Sequence, residues 1–188
     1  MKKINIIYLL PEMKGASGGA KIIYSHSKKL NNLIKNVSSH IIHLKKSIPY
    51  KIETSMSKRF NFFKKKFSGW NPNKMKISKS FSPSKDWFND KLNSKKNFKL
   101  NNATDFLIIP EIWSHFAIDL NLKNKRIKYG IFIQGFFHMN STSDFKKIKS
   151  AYKNASIILI SSNYNIKCFK EIFPEFSDKI LMMNLSID

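Results

Sequence analysis

Among 188 residues there is one cysteine, Cys168, a scarcity that excludes an internal disulfide framework and any cysteine-built zinc cage. Arginine is nearly as rare, with Arg59 and Arg126 standing against 32 lysines. Specific readers of nucleic acid and phosphate lean on the planar guanidinium fork, which lysine does not supply. Acid is short too, 12 Asp+Glu against 34 Lys+Arg, for a formal charge of +22. Net charge speaks to association and solubility and not to fold, and heavy lysine, isoleucine and asparagine use is also what an AT-rich coding sequence gives at tolerant surface positions. No run approaches the ~20 consecutive apolar residues of a membrane-spanning helix. A secretory leader is also not expected: after Met1-Lys2-Lys3 the run Ile4 to Leu10 is stopped at once by Pro11-Glu12, with no full apolar region or cleavage site.

What is present is core material. The chain is 42% hydrophobic and holds 16 phenylalanines, which argues against wholesale disorder. At ~100–200 residues per domain, its length fits one domain, 1–188. Ile4 to Leu10 reads as a buried parallel strand, followed by a glycine-containing loop and a helix with Ile23, Ser27, Leu30 and Ile34 on one face and Lys28, Lys29 and Asn31 on the other. Val37 to Leu44 is a second strand. Further strands are expected at Asp105 to Pro110, Tyr129 to Gln134, Ser156 to Ser161 and Lys179 to Asn184. Helices are expected at Glu111 to Leu122, Ser143 to Asn154 and Asn163 to Phe173, the last ended by Pro174. Short apolar runs alternating with helices predict an α/β fold: a Rossmann-like open parallel sheet with helices on both faces.

In such sheets ligands gather at the carboxyl ends of the strands, near the topological switch point. The first loop there is Gly15-Ala16-Ser17-Gly18-Gly19-Ala20-Lys21. Its glycines allow close backbone approach, and the helix start beyond offers free N–H groups and a positive dipole end to an anion; a plain tight turn is the other reading. Two familiar forms are excluded. The glycine spacing does not match G-x-G-x-x-G, and His43-Leu44-Lys45-Lys46 supplies no acid for a ribose. A P-loop would need a glycine before Lys21 and a hydroxyl after it, where Ala20 and Ile22 stand.

Four stretches together resemble the N-terminal half of GT-B glycosyltransferases of the retaining, nucleotide-sugar-dependent group. They are INIIYLLPEMKGASGGA, DFLIIPEIW (Asp105 to Trp113), YGIFIQGFFH (Tyr129 to His138), and AYKNASIILISSNYNIKCFKEIFP followed by KILMMNLSID, in which Ser186 replaces the family's exit glycine. They cover about two-thirds of the chain. The resemblance implies an acceptor-side domain whose cleft is completed by a second, C-terminal domain carrying the E-x7-E motif and most donor contacts. That partner domain is expected to be missing from this chain, which alone would be inactive. On matching positions Gly18, Gly19 and Ala20 would bind the donor diphosphate through backbone N–H groups. His138 would stand near the transferred sugar as the catalytic candidate, while Glu111, Gln134, Ser162 and Asn163 would meet acceptor hydroxyls. The expected substrates are a nucleotide-sugar and a glycan or lipid-linked acceptor, with no metal, no further cofactor and no nucleic acid. The expected place is the cytoplasm, with the inner membrane face as an option.

Residues 45–100 stand apart as a basic, aromatic-rich excursion, with 16 basic and 3 acidic residues and ten aromatics. If Lys58 to Trp70 is helical, Phe60, Phe63 and Phe67 share one face, with Lys64, Lys65 and Lys66 largely opposite. That arrangement suits membrane contact at an anionic surface, single-stranded nucleic acid, or a solvated helix with its Phe stripe turned inward. The rival to the enzyme reading is therefore a non-catalytic basic module that binds membrane or nucleic acid through 45–100.

Overall fold

A computed structural model describes residues 3–12, 17–45, 77–78, 81–83, 88, 92–95, 97–135 and 145–183. Six strands run in the order β2-β1-β3-β4-β5-β6, and every neighbouring pair is parallel. They are β1 (Ile4–Pro11), β2 (Val37–Leu44), β3 (Asp105–Pro110), β4 (Lys128–Ile133), β5 (Ile157–Ile160) and β6 (Ile180–Met182). Between them lie α1 (Gly18–Leu33), α2 (Phe116–Asp119), α3 (Phe145–Asn154) and α4 (Asn163–Ile172). The protein has an α/β, Rossmann-like open sheet in a single domain. Because the chain leaves β1 toward β2 and then returns to β3 on its other side, the switch point falls between β1 and β3.

The strands are near-continuous apolar runs because both faces of the sheet are covered. Ile7, Leu9, Leu107, Ile109, Ile131 and Ile133 point to one face, where Trp113, Phe116, Tyr152 and Phe169 meet them. Tyr8, Leu10, Ile41, Ile108 and Phe132 point to the other, against Ala20, Ile23 and Tyr24 of α1. Gly130 permits the tight seam between β4 and β5: a Cβ there would stand 2.7 Å from Ile157 Cγ2.

The outer edge of β2 would present unpaired peptide groups if left bare. Asn31 of α1, expected on the solvent side, instead uses its amide as a strand would, donating to Ser39 O at 3.0 Å and accepting from Ser39 N at 2.6 Å. Two positions along, Ile41 N donates to Asn93 O and Lys95 N donates to Ile41 O, each at 2.9 Å, and Ser78 N donates to His43 O at 2.8 Å. Described parts of the basic excursion thus cover this edge, and Phe88 and Phe81 pack on Tyr24 and His43, with ring centroids 4.8 and 4.7 Å apart.

The helix expected over Glu111 to Leu122 is a tighter structure. A 3₁₀ turn over Glu111–Trp113 leads into one short α-turn, α2, and Asn121 ends it with φ 54°. At about three residues per turn, positions i and i+3 eclipse. At this spacing Glu111, Ser114 and Ala117 are buried along one line and Trp113 and Phe116 along another. A second 3₁₀ segment, Pro174–Lys179, precedes β6 and was not expected; its Lys179 Nζ donates to the carbonyls of Lys153 and Ala155, at the carboxyl end of α3.

At the carboxyl end of β2, His43 is buried, with Nε2 3.0 Å from Tyr24 Oη, and burial pulls its pKa down to about 4. Between that value and the ordinary 6.5 the unfolded chain takes up a proton that the fold refuses, so this contribution to stability is full above pH 6.5 and is lost as pH falls toward 4. The loss should be on the order of 3 kcal/mol, read as the difference in pH slope between the wild type and His43→Gln in chemical denaturation from pH 7 to 4. Parallel slopes would contradict it.

Candidate functional site

The carboxyl edge of the sheet collects the ends of β1, β3, β4 and β5 and the starts of α1 and α4. Ser17 caps α1: its backbone is extended, and its side chain accepts from Ala20 N at 3.4 Å. Gly18 and Gly19 hold the first two helical positions, whose N–H groups have no carbonyl partner inside the helix. Neither takes a positive φ, so a turn constraint does not explain them. Gly19 is explained by close approach, since a Cβ would stand 2.6 Å from Gln134 Oε1. At Gly18 a Cβ would meet nothing within 4 Å. Ala20 is arranged differently from the expectation: its N–H is taken by Ser17 and its methyl is buried in the core under α1.

Gln134 is the meeting point of the edge. Its backbone N–H donates to Glu111 Oε2 at 3.1 Å, and the next amide, of Gly135, donates to Glu111 Oε1 at 3.3 Å. Its side-chain Nε2 donates to Gly19 O at 3.0 Å. Its carbonyl accepts from Asn165 Nδ2 of α4 at 3.5 Å. One residue therefore fastens the ends of β3 and β4 to the first turns of two helices.

Glu111 is 5% exposed. Burial pushes its pKa up to about 7, although the N–H groups of Gln134 and Gly135 favour the charged form. Tyr152 of α3 lies fully buried within reach of its charge, and both burial and that charge hold the phenol well above its ordinary range. Both carboxylate oxygens of Glu111 are engaged with backbone, and Glu111 and Gln134, the residues expected to meet acceptor hydroxyls, join the ends of β3 and β4 to α1. Ser162 caps α4, accepting from Asn165 N at 3.2 Å, and Asn163 is exposed at the first position of that helix. The sequence reading missed Asn165; its only signal was a third polar residue after a Ser cap. His138, Gly15 and the residues Phe60, Phe63, Lys64, Lys65 and Phe67 lie outside the described residues.

Chemically, the edge brings the first-turn amides and dipole of α1 beside a second helix start, that of α4, and helix starts favour negative charge. Among the described residues no group of His, Cys, Asp and Glu has a metal-holding arrangement. No protein-family model matches the chain, and no curated protein matches it.

The two glycines should respond differently to alanine. In a helix Ala is favoured over Gly by up to about 1 kcal/mol, so Gly18→Ala should gain stability. Gly19→Ala should not, because its methyl displaces Gln134 and breaks a hydrogen bond worth about 1 kcal/mol. Denaturation midpoints decide the matter, and equal gains for both variants would contradict the placement of Gln134.

Proposed function

We propose that this chain is the acceptor-side domain of a GT-B-like glycosyltransferase, completing a cleft for transfer of a sugar from a nucleotide donor to a glycan or lipid-linked acceptor. The observation that carries the reading is the open amino end of α1 at the β1/β3 switch point. Gly18 is exposed there with unstrained backbone, and a Cβ on it would meet nothing within 4 Å, which supports the approach of a diphosphate to the first-turn amides. The order of the four family-like stretches adds to it, as does the end of β2, where buried His43 and Leu44 leave no acid for the ribose of a dinucleotide.

In this reading the domain's amides and the α1 dipole oppose the negative charge that grows on the leaving diphosphate. Because Gln134 and Glu111 hold that helix start in place before reaction, little reorganisation is needed as charge develops. His138 stands as the candidate near the transferred sugar. Ser162 and Asn163, at the start of α4, line the acceptor side. The second, C-terminal domain supplies most of the donor site.

Gly18→Asp tests the reading cleanly. A carboxylate at the first helical position favours the helix dipole and meets no neighbour, so the variant should melt at or above the wild-type temperature. In an amide-resolved NMR titration with uridine diphosphate, the wild type should shift at Ser17, Gly18 and Gly19, and Gly18→Asp should not. Wild-type amides that stay still would remove the diphosphate site. Vesicle or single-strand binding that falls steeply with salt, in a chain indifferent to the nucleotide, would favour the basic-module reading.

A further inference from the structure

The opposite end of the sheet carries a cleft of about 900 Å³, within the range of small-molecule sites. It opens where β1 and β3 begin, at the paired residues Asn5 and Asp105, a full strand length from Gly18 and Gly19. Amides dominate its polar wall: Asn5, Asn97, Asn101 and Asn102. Lys95 and Lys99 reach it from the stretch before β3, and Lys125 from the turn after α2. Phe98, Leu100 and Leu122 form an apolar side.

The wall is held in place from below. Asp105 is 6% exposed and accepts from Asn5 Nδ2 at 2.7 Å, Asn101 N at 2.9 Å and Thr104 Oγ1 at 3.1 Å, with Lys95 Nζ 3.9 Å away. Burial works against its charge, but these donors together hold the carboxyl below its usual range. Among the described residues the one carboxylate in the lining is thus already engaged, while Lys99 and Lys125 are exposed and the described lining carries three cations against one anion.

We infer that this cleft is a binding site for an anionic carbohydrate, whose hydroxyls pair with the asparagine amides, whose apolar ring face lies on Phe98 and Leu100, and whose phosphate or carboxylate meets the lysines. Each half of the lining excludes simpler ligands. A neutral sugar leaves the lysines without an anion, and a bare anion leaves Asn97, Asn102 and an apolar wall unused, Asn5 and Asn101 being partly engaged with Asp105 and Ala103. Lysine suits the charged group as a compact point charge. The site is independent of the diphosphate reading, since it lies at the other end of the strands and shares no residue with it.

The test titrates the chain with glucose 1-phosphate, glucuronate, glucose and inorganic phosphate, following amide shifts of Asn97 to Thr104 by NMR. Saturable shifts with one or both of the anionic sugars, at least tenfold weaker in Lys99→Ala/Lys125→Ala and unchanged in Gly18→Asp, are expected; which anionic sugar binds tighter identifies the charged group. Both replaced lysines are exposed, so the double variant should keep the wild-type melting temperature. The inference is overturned if neither anionic sugar gives saturable shifts. It is equally overturned if glucose or inorganic phosphate binds as tightly as the anionic sugars, or if the double variant binds unchanged.

Discussion

A buried carboxylate that accepts two successive backbone amides fixes the carboxyl edge of the sheet. Glu111 follows β3 directly, and Gln134 and Gly135 follow β4, so the pair of hydrogen bonds locks the exits of two adjacent strands to each other. Held there, Gln134 reaches α1 through its side chain and α4 through its carbonyl. The edge is not free to rearrange one piece at a time. Moving any one of the four elements breaks a hydrogen bond made through Gln134 or Glu111.

The arrangement has an electrostatic side. Burial favours the neutral form of Glu111, yet the two N–H groups that meet it favour the charged one, and burial is the larger effect. With a pKa near neutrality, the anchor sits where modest changes in surroundings alter its charge. In the proposed diphosphate reading, an anion at the α1 start would add to the cost of that charge. Lysine-rich composition contributes the general field around this edge without specifying it.

Much of the fold could be read from the chain because a strand buried on both faces is a short apolar run with few alternatives. Val37–Leu44 and Asp105–Pro110 have the boundaries their apolar patterns predict, and Pro174 stops α4 where a missing N–H and a fixed φ require. The segment after Pro110 was not legible, since apolar residues at i, i+3 and i+4 fit both a 3₁₀ and an α pitch until the partners are known. Asn31 was misplaced because nothing local shows that Ser39 lacks a strand neighbour. The candidate site was legible in its parts and not in its wiring. A glycine loop, a Glu after a strand and a Gln after another could each be named, but Gly19 and Gln134 are 115 positions apart, and only the sheet brings them together. That contact ties the end of β4 to the first turn of α1.

The pKa of Glu111 in the folded chain, followed by carbon-detected NMR with the amides of Gly19, Gln134 and Gly135 recorded in the same samples, tests the central claim most directly. The account predicts a carboxyl midpoint near 7, with all three amides tracking the same curve. A midpoint near the ordinary 4.5, with amides that do not follow it, would mean that the carboxylate faces water and that the edge is held by something else.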